Sequence, residues 1–301
     1  MSFLNPVSEP VLRFSSTDAG APQINYNARV EGDVKAVLKA CLVDGYGSTT
    51  SAGWSAINEV GSVIEFVSPS PVMSDYRLGV SDSTTSNTTW YYQYQNIRTN
   101  PANNAPTKSF TYVNKTHASN GWYLLATDRG IIFIEVLHHS VVNKLSTRIT
   151  YWGQAKSGLN SEIGKNIIFF NIGHEGAIIS PHLFYSSGTD VHINIGGHVT
   201  GFISAATSKA LSFLHFNLGA STLDLVSPIY LASSQENLLI GQMPAMLSKI
   251  TNAEEDAYGI GELDLDGRNV LSVPAGHNEY RANFANQRSR TFLIRTDYWD
   301  Y

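Results

Sequence analysis

Few residues in this chain could do chemistry, and none completes a known motif. Glu262-x-Asp264-x-Asp266-Gly267 has the spacing that opens a calcium loop, because alternate carboxylates around a tight turn can converge on one cation. Such a loop needs a Glu at its twelfth position, and Val273 stands there. The intervening Leu263 and Leu265 fit an alternating hairpin equally well. The chain has nine histidines, which raises the question of a transition metal. His192 and His198 flank Ile193-Asn194-Ile195-Gly196-Gly197, with His174 and His182 upstream. Positions 192 and 198 of a straight strand share a face about 20 Å apart, and a bend at Gly196-Gly197 could bring them together. Adjacent His138 and His139 would point to opposite faces. No His-x-His pair or His-Glu-x-x-His occurs, so hydrogen-bonded or solvated histidines are expected. The exception would be a histidine meeting its symmetry mates on an oligomer axis.

Covalent and cofactor chemistry find less support. The single cysteine, Cys41, can form neither an intrachain disulfide nor a thiolate zinc site, and it lies on the apolar stripe of an expected helix. No Gly-x-Ser-x-Gly elbow, phosphate-binding loop or dinucleotide fingerprint is present. Gly173-His174-Glu175-Gly176 reads as a polar turn. A polysaccharide-cutting enzyme needs only two facing carboxylates, and sequence does not reveal such a pair. The aromatic runs Trp90-Tyr91-Tyr92-x-Tyr94 and Tyr298-Trp299-x-Tyr301 could stack on sugar rings. Packing is preferred for them, because aromatics are enriched in interface cores. We therefore expect no catalytic residue, no metal and no cofactor.

The elements that would position these residues are mostly strands. The exception is a helix over 33–43. Asp33 suits an N-cap, Val34, Val37, Leu38, Cys41 and Leu42 fall on one face of a 3.6-residue period, and Gly45 and Gly47 stop it. One short amphipathic helix must bury that face, most simply on a sheet. Strands are expected at Ser62–Val67, at 90–94, at 166–170 and at Thr291–Arg295. Hairpins are expected around Asp128-Arg129-Gly130 and around Asp266-Gly267, the latter a favoured two-residue turn. Residues 100–106 read as a loop, and a poorly patterned helix falls near 205–214. The fold class is α+β and predominantly β: antiparallel sheets or a sandwich, with one amphipathic N-terminal helix packed on a sheet. Residues 1–30, with Pro6, Pro10 and Pro22, read as an extended arm. Residues 31–301 read as a single large β-rich domain with a subdivision near 155–165. Neither internal repeats nor coiled-coil heptads appear, which argues against a fibrous shaft.

Composition narrows the function classes. Of 301 residues 43% are hydrophobic, ample for a core, but only 15% are charged, against a usual quarter. Neutral polar surfaces of this kind suit β-structures and proteins buried in assemblies. The net charge of −5 and the absence of a basic patch give no footprint for nucleic acid. The acidic cluster Glu254-Glu255-Asp256 reads as a solvated loop. No apolar run nears the ~20 residues that span a membrane, and the first residues lack the basic and apolar regions of a signal peptide. No membrane partner and no leader are expected.

Gly32-Asp33-Val34-Lys35-Ala36-Val37-Leu38-Lys39-Ala40-Cys41-Leu42-Val43-Asp44-Gly45-Tyr46-Gly47, followed by Ala52-Gly53-Trp54, resembles the opening of a family of virion structural proteins from contractile-tailed bacteriophages. Fainter echoes follow in order: Tyr76–Asp82, Gly121-Trp122 with Asp128-Arg129-Gly130, and Leu239–Met246 with its Gly-x-x-Pro loop. The resemblance runs from about residue 30 to the end and implies a particle component in the neck, tail or baseplate. The expected partners are other virion proteins and copies of itself, and the expected location is the virion, assembled in the host cytoplasm. It implies no catalytic residues. A host-receptor or glycan-binding module is the runner-up and a polysaccharide-degrading enzyme the third reading.

The termini supply the interface candidates. The proline-bearing arm cannot fold alone, and Leu12 and Phe14 could add to a sheet edge, at home or on a neighbour. Tyr298, Trp299 and Tyr301 place three large rings where a lone chain would fray. At least one terminus is therefore expected to pack on another subunit. Exhaustive chelation should leave the thermal unfolding midpoint unchanged; a drop restored by calcium or zinc would revive the Asp264/Asp266 or histidine sites.

Overall fold

A computed structural model describes residues 7–24, 30–82, 91–99, 108–114, 118–139, 144–157, 167–172, 182–183, 191–195, 198–200, 225–233, 238–250, 260–274 and 290–301. Trp90, the loop at 100–106, His174 and its polar turn, the acidic cluster at 254–256 and the helix expected near 205–214 lie outside the described residues.

The expected predominance of antiparallel strands is what is found. A five-stranded meander is formed by β3 (Ser55–Val60), β4 (Val63–Val67), β5 (Tyr76–Ser81), β6 (Tyr91–Arg98) and β7 (Lys108–Asn114) in sequence order. A six-stranded sheet contains β2 (Leu12–Ser15), β8 (Ala118–Thr127), β9 (Gly130–His139), β10 (Lys144–Gln154), β12 (Ile167–Ile172) and β13 (His182–Leu183), in the order β13-β12-β10-β9-β8-β2. An eight-stranded sheet takes β14 (Val191–Ile195), β15 (His198–Thr200), β16 (Leu225–Ser233), β17 (Leu238–Ile250), β18 (Gly261–Leu265), β19 (Arg268–Pro274) and β20 (Arg290–Arg295), in the order β15-β14-β16-β17-β20-β19-β18. Its eighth strand, β11 (Lys156–Ser157), pairs with β17. Finally β1 (Ser8–Pro10) pairs with β21 (Tyr298–Asp300).

The run Ile131-Ile132-Phe133-Ile134 in β9 is apolar on both pleat faces, the mark of a strand covered on both sides. Ile131 and Phe133 join Leu124, Ala126 and Trp152 in one core, with the meander and the helix. Ile132 and Ile134 join Leu125, Ile149 and Tyr151 in a second core, with the eight-stranded sheet. The six-stranded sheet is thus the middle layer.

The helix α1 (Asp33–Lys39) continues as a π-helical turn over Ala40–Asp44, closed by Gly45 N–H donating to the Ala40 carbonyl at 2.8 Å. Val34, Val37, Leu38, Cys41 and Leu42 are all fully buried, together with Phe66, Leu78 and Trp54. Burial also pushes the Cys41 thiol up, with Asp18 adding to it, so this cysteine packs as a small apolar group.

The capping differs from expectation. Asp33 is the first helical residue, and Gly32 holds the cap position with φ of 86° and no side-chain bond. The cap comes from Asp82, just past β5, whose Oδ2 accepts from Val34 N–H at 2.8 Å and Lys35 N–H at 3.2 Å. Only a glycine turns the chain there without a Cβ penalty, so the carboxylate must arrive from elsewhere.

The arm is also not set apart from the body. Ser8–Pro10 and Leu12–Ser15 are edge strands of the chain's own sheets, the first on β21 and the second on β8. Prolines exclude a helix but are tolerated on sheet edges.

Leu38→Ala should destabilise the fold by about 2–5 kcal/mol through a cavity shared by helix and sheets. Denaturant unfolding checks this, and an unchanged midpoint would mean the stripe is not packed as described.

Candidate functional site

The strongest convergence of polar and ionisable groups lies at the tip of the β8–β9 hairpin, where Thr127 pairs with Gly130 across the turn residues Asp128 and Arg129. Each carbonyl of Thr127, Asp128 and Arg129 is taken by a different part of the chain. The Trp54 indole donates to the Thr127 carbonyl at 3.1 Å, the Ser68 hydroxyl to that of Asp128, and the Gln154 amide to that of Arg129 at 2.9 Å. The buried Thr127 carbonyl requires a partner, and the three donors together bring in the segment after the helix, the end of β4 and the end of β10.

The side chains of the same turn hold the first and last described strands. Arg129 Nε lies 2.5 Å from Glu9 of β1, and the guanidinium carbon sits 5.4 Å from the Tyr301 ring centroid. The hydroxyls of Tyr301 and Thr127 are 2.7 Å apart. Val7 and Tyr301 exchange backbone bonds of 3.2 and 2.9 Å. Arg129 also donates to the Gln154 amide oxygen at 3.3 Å, and the Tyr151 hydroxyl donates to the Gln154 carbonyl at 2.5 Å.

Burial dominates the electrostatics. It raises the Glu9 carboxyl despite the Arg129 charge that lowers it. Tyr151 and Tyr301 are both held above the ordinary phenol value, again mainly by burial. Tyr46 is raised by burial and by its hydrogen bond to Asp18, 2.7 Å away. The three phenols are held in packed, protonated forms and Glu9 is held against the Arg129 guanidinium, which suits a lock rather than a proton shuttle.

The structure corrects the expectation that a terminus packs on another subunit, for three of the five interface candidates. Phe14, Trp299 and Tyr301 are buried within their own chain. Phe14 lies 6.1 Å from Tyr46 between ring centroids, and Trp299 lies 6.2 Å from Tyr151 with its indole donating to the Arg295 carbonyl at 2.8 Å. Each end of the chain supplies the ladder partner the other lacks. Leu12 and Tyr298 remain exposed, at 45% and 50%. The sugar platform drawn from Tyr298, Trp299 and Tyr301 therefore loses two of its three rings to the interior.

Other candidates resolve similarly. Asp266 and Gly267 have φ of 52° and 75°, the pattern of a type I′ turn, and Asp264 Oδ1 accepts from Gly267 N–H at 2.7 Å. That carboxylate serves the hairpin. Position 198 pairs with 195, while 192 pairs with Ala232 of β16. Positions 192 and 195 are three apart, so 192 and 198 fall in opposite phases of the pleat. Among the described residues no three His, Cys, Asp or Glu side chains gather as a metal site, and no helix is long and apolar enough to cross a membrane.

Sequence reasoning missed the buried ion pairs. Glu135 and Arg148, paired across β9 and β10, meet at 3.0 Å in full burial. The signal was a lone carboxylate inside Ile131-Ile132-Phe133-Ile134-Glu135-Val136, which had to find a cation. A glycosidase would need two carboxylates facing across a cleft. Of the buried ones among the described residues, Glu135 meets Arg148, Asp82 caps the helix and Asp33 accepts from Val34 N–H at 2.8 Å.

The segment carrying the phage resemblance forms a joint. A Cβ on Gly47 would sit 2.2 Å from the Ala19 carbonyl oxygen, so only glycine permits that approach. Tyr46 anchors to Asp18 as above, and Trp54 packs edge-on against Trp152 with centroids 5.7 Å apart. No family model, curated protein or solved structure matches this chain.

The buried phenols have a consequence at high pH. Tyrosines of the unfolded chain ionise near about 10, whereas Tyr151 and Tyr301 keep their protons in the fold. Below that pH the two states bind the same phenol protons. Above it the unfolded chain releases protons first, so stability falls as pH rises. The Tyr151→Phe/Tyr301→Phe double variant should lose less stability per pH unit above pH 10 than the parent. Equal slopes in denaturant titrations would show that these phenols ionise within the fold.

Proposed function

We propose that this chain is a structural subunit of a tailed-bacteriophage virion, in the neck, tail or baseplate, working through interfaces with copies of itself and other virion proteins. The phage assignment rests on the resemblance of the segment from Gly32 to Trp54. The observation that carries the assembly reading is an apolar corner beside the start of the helix. Val60 at the tip of β3–β4 is 76% exposed, with Val30 at 51% and Val63 at 43%. Gly32 N–H donates to the Asp82 carbonyl at 3.1 Å and Asp82 N–H to that of Ser62 at 3.0 Å, which brings 30–32 beside 61–63. Lys35 Nζ reaches the Gly61 carbonyl and lies 2.8 Å from Glu59. Three valines around one corner, rimmed by charge, have the composition of an interface patch. Scattered single apolar residues would need no explanation.

An assembly role also fits the locked termini. A body whose two ends are tied to one turn presents its surfaces with little ordering cost on association. Val60→Asp lies on the surface and should change stability by no more than about 0.5 kcal/mol. The parent chain should be found in purified particles by mass spectrometry and the folded Val60→Asp variant should be depleted from them. A parent chain absent from particles would defeat the reading, and normal incorporation of the variant would remove the valine corner from it.

A further inference from the structure

The free edge of β18 has the geometry of a docking strand. Among the described residues β18 pairs only with β19, in the register Leu265↔Arg268, Leu263↔Val270 and Gly261↔Ser272. In a two-residue hairpin the closing pair exchanges hydrogen bonds, and bonded pairs recur at every second residue. Leu265, Leu263 and Gly261 therefore bond inward to β19. The backbone N–H and C=O groups of Glu262 and Asp264 point outward, along the edge of the eight-stranded sheet. Residues 261–264 are all exposed.

Proteins usually blunt such edges with lysine, proline or a bulge. The edge strand β3 has one such device: its register breaks between Ile57 and Val60, with Asn58 at φ of 52°. The edge strand β2 is four residues long and closely follows Pro10. β18 has no lysine, proline or bulge; its edge charges are the carboxylates of Glu262 and Asp264, which repel an acidic strand but not a basic one. Its side chains divide by face. Glu262 and Asp264 lie on one, with Glu262 67% exposed and 2.5 Å from Arg13, while Leu263, 49% exposed, and Leu265 lie on the other.

We infer that β18 accepts an extended segment of another protein chain, alternating basic and apolar residues, as a further strand. Backbone groups of that segment would bond to Glu262 and Asp264. Directly opposed residues share a face, so its lysines or arginines would meet the two carboxylates, and its apolar residues would lie beside Leu263. A second copy fits poorly. Antiparallel pairing of β18 with itself sets one row of carboxylates against another, and like charges directly opposed are destabilising. The partner's place in the particle rests on the assembly reading, but the strand pairing can be tested without particles.

The test titrates the full-length chain, into the millimolar range, with two synthetic heptapeptides. One alternates lysine with valine and the other alternates glutamate with valine. Backbone amide shifts are read by nuclear magnetic resonance, and self-association by light scattering. The lysine peptide is expected to shift the amides of 261–265 and to bind at least tenfold more tightly than the glutamate peptide. Glu262→Lys/Asp264→Lys should reverse that preference. Equal binding of the two peptides, shifts confined to other strands, no binding of either, or dimerisation through β18 would each overturn the inference. The comparison of peptides on the parent chain decides the matter even if the variant misfolds. Incorporation into particles is measured separately, so a negative peptide result removes the edge assignment and leaves that result unaffected.

Discussion

The turn from Thr127 to Gly130 is the constraint on which the rest of the structure depends. It lies at the tip of a hairpin with apolar residues on both faces, with Thr127 buried, Arg129 half-buried and Asp128 exposed. Each of its three carbonyls is matched by a donor from a distant segment: the Trp54 indole, the Ser68 hydroxyl and the Gln154 backbone N–H. Its side chains then recruit Glu9 and Tyr301. Helix exit, meander, middle sheet and both termini meet at one turn because leaving buried polar groups unpaired costs about 1–3 kcal/mol each. Gly130 and Gly153 face each other across β9 and β10. A Cβ on Gly153 would lie 2.5 Å from the Gly130 Cα, so β10 reaches the turn only because both positions lack side chains.

What was legible in the sequence was local. The stripe Val34, Val37, Leu38, Cys41 and Leu42 could be read because a helix writes its buried face at fixed short intervals. The β8–β9 and β18–β19 hairpins could be read because their turns lie within a few residues of their strands. Even so, local rules misassigned the helix start. Asp33 satisfies the capping preference by type, but the carboxylate that caps is Asp82, on a strand that only the folded sheet brings near. The π-helical turn over Ala40–Asp44 was equally hidden, because it keeps the same stripe buried while changing the hydrogen-bond step.

What was not legible was long-range pairing. Glu9 with Arg129, Glu135 with Arg148 and Val7 with Tyr301 bind residues whose separation in sequence carries no periodicity. A carboxylate inside an apolar run, such as Glu135, requires a partner, but nothing local says which one. The same gap explains the misreading of the terminal aromatics. Burying a ring contributes roughly 1.5–3 kcal/mol, which is enough to hold a short tail. That energy says nothing about which chain provides the cover. Here the chain's own second core does, with Tyr151 against Trp299 and with Thr127 and Arg129 against Tyr301, while the N-terminal strand supplies the backbone ladder that closes the body.

On the proposed assembly reading, that closure changes where contacts can form. With β1 and β21 locked together, exchange of either strand with a neighbour would first have to break the Glu9–Arg129 pair or expose Trp299 and Tyr301 to water. Either cost precedes any gain from a new interface. Contacts that leave the body intact are cheaper, and they fall on surfaces already apolar or already presenting unpaired backbone. The valine corner offers the first kind and the β18 edge the second. They also differ in selectivity. A corner of valines rewards any complementary apolar surface, whereas an edge with carboxylates on one face and leucines on the other rewards only a strand of matching phase. Register errors by one residue would place apolar groups against Glu262 and Asp264 and lysines against Leu263. In an assembly reached by successive additions, that penalty for a one-residue slip would let the edge set orientation and order while the corner supplies affinity.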